Sequence, residues 1–126
     1  MTEALTATNP TPIGLEAVFI INLVQDVNIL RPLAIMAARD MGWSVKFLVS
    51  SRFAGRDVTG IWRAELGLLS EQVNGALFYF ESELHALPHL AGTGLLFSSS
   101  ESHLPWHATA HDIMRVAPRS FLRVSL

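Results

Sequence analysis

The 126-residue chain has no cysteine and a single lysine, Lys46. Without cysteine there is neither a disulfide framework nor a thiolate-held zinc site, and cysteine usage leaves the redox compartment open. Nine basic residues, eight of them scattered arginines, face eleven acidic ones, for a net charge of −2. Phosphate backbones are gripped by concentrated basic surfaces, so this balance argues against a nucleic-acid partner. Charge of either sign is scarce: 16% of residues are charged and 50% are apolar, against about 25% charged in ordinary soluble domains. Part of the apolar surface is therefore expected to need covering, by a second domain or by a homodimer. The longest apolar run, residues 17–24, is interrupted by Asn22 and is far short of the roughly 20 residues a membrane span requires. Residues 1–14 are rich in Thr and Pro and lack a basic start, which reads as a flexible arm rather than a signal peptide, with the cytoplasm as the default location.

Several well-specified motifs are missing too. The turn Val24-Gln25-Asp26-Val27-Asn28 contains no glycine, so it cannot form the backbone cradle of a G-x-G-x-x-G dinucleotide site. No G-x-x-x-x-G-K-[ST] loop and no G-x-S-x-G elbow occurs, which removes the P-loop hydrolase and serine hydrolase classes. A phospho-acceptor domain needs clustered acids after the first strand, and only Asp26 stands there.

What is present is an alternation of short apolar runs with helical periodicity over residues 15–126, the pattern of βαβ units and a parallel sheet in one domain. Strands are expected at 18–23, 44–49, 76–80, 95–98 and 121–124. The first, Val18-Phe19-Ile20-Ile21-Asn22-Leu23, is apolar almost throughout, as suits a central strand covered on both faces. Leu30, Leu33, Ala34, Ala37 and Met41 recur at helical spacing, with Asn28 as cap, Pro32 in the first turn and Gly42 as stop. Asp57 is expected to open a second helix whose Val58, Ile61, Trp62 and Leu66 share a face before Gly67. Residues 81–90 read as a short helix broken at Pro88, and 105–116 as the last helix. The fold class is α/β: a three-layer Rossmann-like or flavodoxin-like sandwich with a parallel five-stranded sheet. In such sheets the loops after the strands carry the chemistry, and the last strand runs to Leu126 with no loop beyond it, so the chain is expected to be a fragment of a longer one.

Three stretches, "VFIINLVQDVNILRPLAIMAARDMGWSVKFLVS", "LLFSSSESHLPWHATAHDIM" and "RSFLRVSL", together resemble the N-terminal, acceptor-side domain of glycosyltransferases with two Rossmann-like domains, the GT-B architecture. Gly42-Trp43-Ser44-Val45 is similar to that family's turn into its second strand. The family's first loop is glycine-rich or histidine-bearing, and here it has no glycine. The resemblance implies acceptor binding in this half and a nucleotide-sugar donor held by a C-terminal domain outside this chain. It also implies that the chain alone holds no cofactor and is inert.

Acceptor contacts are expected after the strands, where polar loops and helix N-termini converge: Gln25, Asp26 and Asn28 after the first, and Ser99, Ser100, Glu101 and Ser102 after the fourth. Asn28 and Ser102 serve equally as helix caps. His103, beside them, has the near-neutral pKa of a general base for a sugar hydroxyl. Arg52 and Arg56, after the second strand, could pair with an anionic acceptor, or simply lie in a solvated loop. His107 and His111 fall at i, i+4 and could share a metal ion with Glu101 or Asp112, but no H-E-x-x-H pairing supplies a base and a plain surface helix accounts for the spacing; no metal is assigned. Trp62 and Trp106 could stack on a sugar ring, although Trp62 lies on an apolar stripe suited to the core. The competing reading is a stand-alone flavodoxin-like module that binds a small molecule or a partner.

Overall fold

A computed structural model describes residues 15–99 and 108–126. The arm expected over 1–14 and the polar loop and helix start expected over 100–107 lie outside the described residues. The elements run β1 (Leu15–Ile21), α1 (Asp26–Arg39), β2 (Ser44–Ser50), α2 (Ser51–Arg56), α3 (Ile61–Gln72), β3 (Ala76–Phe80), α4 (Glu83–Ala86), a 3-10 turn (Leu87–His89), β4 (Thr93–Ser98), α5 (Ala108–Val116) and β5 (Phe121–Ser125). The strands form one five-stranded sheet in the order β3-β2-β1-β4-β5, and every pairing is parallel. This is an α/β sandwich of the Rossmann-like kind.

Side chains alternate across the sheet, and each face has its own helices. Ala17, Phe19 and Ile21 of β1 join Val45, Phe47 and Val49 of β2 beneath Val27, Leu30, Ala34 and Ala37 of α1, Leu66 and Leu69 of α3, and Phe53 of α2. Phe19 anchors this layer, its ring 5.7 Å from Phe47 on one side and stacked at 4.7 Å on Phe97 on the other. On the opposite face Val18, Ile20, Leu48, Leu96 and Phe121 pack with Ala86 and Leu90 and with Ile113, Met114 and Ala117 at the end of α5. The division follows from strand order. Crossovers from β1 to β3 travel one way along the sheet and those from β3 to β5 the other, so a single right-handed connection rule puts the two sets of helices on opposite faces.

Local chemistry sets the boundaries, and it departs from the sequence expectation in four places. Helix α1 begins at Asp26, so Asn28 is not its cap; Asn28 lies inside the first turn and accepts a bond from Arg31 Nη2 at 3.0 Å. Pro32 accordingly sits in the helix interior, on an exposed position where the donor it removes leaves a carbonyl facing water. Helix α3 does not stop at Gly67 but runs to Gln72, because Leu69 and Val73 continue the buried stripe begun by Leu66, while Val58 and Ile61 are exposed. Asp57 still opens it, at a distance of several residues: its carboxylate accepts from the backbone N–H groups of Trp62 (3.1 Å) and Arg63 (2.8 Å). Residues 51–56, expected as a loop, form a short helix held down by the buried Phe53. Gly42 does end the first helical unit, at φ +68°, which brings the Trp43 N–H to the Ala37 carbonyl at 3.0 Å. Pro88 divides the 81–90 segment as expected, the chain tightening from α4 into the 3-10 turn where its missing N–H interrupts the α-helical ladder.

The apolar surplus has a location. On the α1 side, Leu95 and Phe97 of β4 pair with Leu122 and Val124 of β5; Phe97 is buried against the α1 layer, whereas Leu122 stays open. Together with Leu33, Met36, Ala37, Met41 and Trp43, the β4 residues line an apolar trough of about 210 Å³. Leu122 is 68% exposed and Met36 50%.

Two glycines give opposite expectations. A methyl group at Gly94 would overlap the backbone of Glu16 across the β1–β4 ladder, so Gly94→Ala should cost roughly 3 kcal/mol or more in denaturant unfolding. Gly67 sits in the interior of α3 with open space where a Cβ would go, and Gly67→Ala should stabilise by about 0.5–1 kcal/mol.

Candidate functional site

In a sheet whose strand order reverses, the carboxyl ends of the strands on either side of the reversal part from one another and leave a crevice. Here the reversal falls between β1 and β4. The chain leaves β1 through Asn22 and Leu23 and enters α1 at Asp26, whose carboxylate is fully buried. Its Oδ2 accepts from the backbone N–H of Asn22 (2.9 Å) and of Leu23 (2.8 Å), and its Oδ1 accepts from the Ser99 hydroxyl (2.6 Å) beyond β4. Asn22, also fully buried, accepts from the Ser50 hydroxyl at the end of β2 (2.7 Å). One polar network therefore ties together the carboxyl ends of β2, β1 and β4. A carboxyl group out of water requires hydrogen-bond partners, and these three bonds supply them.

The geometry explains why this turn needs no glycine. In a phosphate-binding turn the free backbone N–H groups point at a ligand anion. Here two of them point at the chain's own carboxylate, so the anion's place is filled from within.

Beside this network the same edge opens into a cleft of about 510 Å³, lined by Ser51, Ala54, Tyr79, Phe80, Glu81 and His85. Ser51 is one peptide bond from Ser50 of the network and starts α2; Tyr79 and Phe80 end β3; Glu81 and His85 follow on the way into and along α4. Tyr79, the chain's only tyrosine, is 53% exposed, and Glu81 and His85 are exposed as well. An accessible aromatic face, a carboxylate acceptor, a hydroxyl and an imidazole together suit a small hydroxylated molecule: ring faces pack on tyrosine, and hydroxyl groups donate to carboxylate and imidazole.

The residues singled out from sequence fall into three groups. Gln25 is exposed at the N-terminal boundary of α1 and Asn28 is exposed in its first turn, both near the crevice, whereas Asp26 is buried and bonded to its own turn and to Ser99. Arg52 and Arg56 lie on α2, half-buried and exposed respectively, and neither is among the cleft-lining residues. Ser100, Glu101, Ser102, His103, Trp106 and His107 lie outside the described residues, as does the side chain of His111. Among the described residues no group of three or more His, Asp or Glu side chains is placed to hold a metal ion, and no helix is long and apolar enough to cross a membrane. Trp62 packs against the core under α3. The cleft residues Tyr79, Glu81 and His85 escaped the sequence reading. They follow the third strand, and the rule that directed attention to the ends of the first, second and fourth strands applies to it equally.

No protein-family model, no curated protein and no solved structure matches the chain.

Truncating the buried acid tests the network. Asp26→Ala leaves two backbone donors and the Ser99 hydroxyl without their acceptor, and should cost about 2–4 kcal/mol in denaturant unfolding, while Asn28→Ala, at an exposed position, should change stability by less than about 0.5 kcal/mol.

Proposed function

We propose that the chain is a ligand-binding Rossmann-like domain that holds a small hydroxylated molecule at the carboxyl edge of its sheet, in the role of the acceptor-side domain of a glycosyltransferase. The observation that carries this reading is the pairing of an open cleft lined by Tyr79, Glu81 and His85 with a β1–α1 turn whose anion position is taken by Asp26. The cleft offers what a sugar-like acceptor needs, and the turn turns a nucleotide's pyrophosphate away. The nucleotide-sugar donor then belongs to a separate C-terminal domain, and the chain alone transfers nothing. Gln25 and Asn28 border the same edge and extend the acceptor surface; Ser100, Glu101, Ser102 and the base His103 remain part of this proposal on sequence grounds.

One observation favours the second reading, a self-contained flavodoxin-like module that works by association. The apolar trough between α1 and β4, with Met36 half-exposed in it and Leu122 exposed on the neighbouring β5, is suited to contact with another domain or a second copy. Sedimentation of wild type and of Leu122→Asp separates the two: a dimer that the substitution dissolves favours the module.

The acceptor reading is tested by titrating the chain with methyl glycosides of glucose, galactose, mannose and N-acetylglucosamine. Saturable binding of at least one is expected, with a dissociation constant on the order of 1 mM. Tyr79→Ala and Glu81→Gln should each weaken it about tenfold, corresponding to the loss of one stacking or charge-assisted contact of about 1.4 kcal/mol. Absence of saturable binding by all four, or binding indifferent to both substitutions, overturns the reading.

A further inference from the structure

The wall of the cleft is one end of a strap. From Glu81 at the carboxyl edge the chain crosses the sheet face through α4 and the 3-10 turn to His89 and Leu90, then enters β4. Ala86 and Leu90 seat it in the core, at 0% and 1% exposure. At its ends the His85 and Ala86 N–H groups both donate to the Ser82 carbonyl, at 3.0 and 3.2 Å, and the Leu90 N–H donates to the Leu87 carbonyl at 2.9 Å. The far end is tied by a cluster around the chain's single lysine. Lys46 Nζ, on β2, donates to the His89 carbonyl at 2.8 Å, lies 3.4 Å from the Glu16 carboxylate on β1, and stands 5.7 Å from the Phe78 ring centroid. The His89 imidazole stacks on the same Phe78 ring at 4.1 Å.

We propose that this segment is a proton-sensitive strap: protonation of His89 loosens its anchor on Phe78 and Lys46 and so frees the cleft wall that carries Glu81 and His85. The groups around the imidazole set the direction. β3 offers the Phe78 ring, β2 the Lys46 ammonium and, behind it, β1 the Glu16 carboxylate, which Lys46 already engages; the strap itself also carries Glu81, Glu83 and His85. A charged imidazole adds a second cation beside Lys46, and among the described residues no acid forms an ion pair with it. Burial first, and the Lys46 ammonium second, hold the His89 imidazole below the ordinary histidine value of 6.5. The folded strap thus binds fewer protons than the released one. Its anchoring is complete above about pH 6.5, the unfolded value, and is lost as pH falls below it toward the lower folded value.

The proposal is independent of any ligand, although its consequence for binding rests on the reading of the cleft given above. Amide hydrogen exchange at His85, Ala86 and Leu90 in the unliganded chain, corrected for the intrinsic pH dependence of exchange, reads the strap directly. Protection in wild type should fall as pH is lowered from about 7.5 to 5.5, because the released strap binds the proton that the folded one excludes. His89→Phe keeps a stacking ring without a titrating proton and should flatten that dependence. In Lys46→Met the His89 ring should titrate closer to the ordinary histidine value, followed by NMR of its Cε1 proton. Protection that does not change with pH in wild type, an equal fall in His89→Phe, or an unmoved His89 titration in Lys46→Met overturns the proposal. If the strap responds as expected but no glycoside binds, the acceptor reading fails and the strap stands.

Discussion

Everything at the carboxyl edge depends on one buried carboxylate. Asp26 has no access to water, and a buried carboxyl group needs hydrogen-bond partners, which the backbone of its own turn and the Ser99 hydroxyl supply. That requirement fixes the path of the chain out of β1, the start of α1, and the separation of β1 from β4 at the point where strand order reverses. Through Asn22 and Ser50 the constraint reaches β2, whose continuation into α2 supplies one side of the cleft. The turn is therefore closed on its own carboxyl group, and the open cleft lies further out, toward β3.

The displacement has a chemical consequence. A crevice whose backbone donors are already satisfied by an acid is poor at holding phosphate. A neighbouring cleft with an exposed tyrosine face, a carboxylate and an imidazole is better matched to hydroxyl groups. The strap that carries Glu81 and His85 is secured by a few short contacts near the opposite edge of the sheet, so the cleft wall is positioned by groups well away from the cleft.

Much of the framework was legible in the sequence because it rests on local periodicity. The strand at 76–80 coincides with β3, the one expected at 44–49 differs from β2 by a single residue, and Gly42 marks the helix stop. The alternation of apolar runs and helical stripes is enough to specify a parallel α/β sheet, and the scarcity of charge anticipated an uncovered apolar surface. What was hidden depends on contacts distant in sequence. Ser99 meets Asp26 from 73 residues away, so nothing local marks Asp26 as the filler of its own turn rather than a ligand contact. Gly55 and Ser51 made residues 51–56 look like a loop, and only the burial of Phe53 against the sheet turns them into a helix. Gly67 looked like a stop because the apolar stripe beyond it, Leu69 and Val73, was not counted as part of the same helix. Tyr79 falls in the strand expected at 76–80 and Glu81 at the start of the helix expected at 81–90, and nothing local shows that they meet in a cleft, since the edge position that leaves Tyr79 accessible is a property of topology and not of the segment.

The most direct test of the central claim, that Asp26 closes the β1–α1 turn to anions, is a titration of the ¹⁵N-labelled chain with a nucleoside diphosphate, following the backbone amides of Asn22 and Leu23. Both amides should stay unmoved while pH and salt are held constant, because each already donates to Asp26. Saturable shifts of those two amides would contradict it and return the turn to the class of phosphate-binding loops.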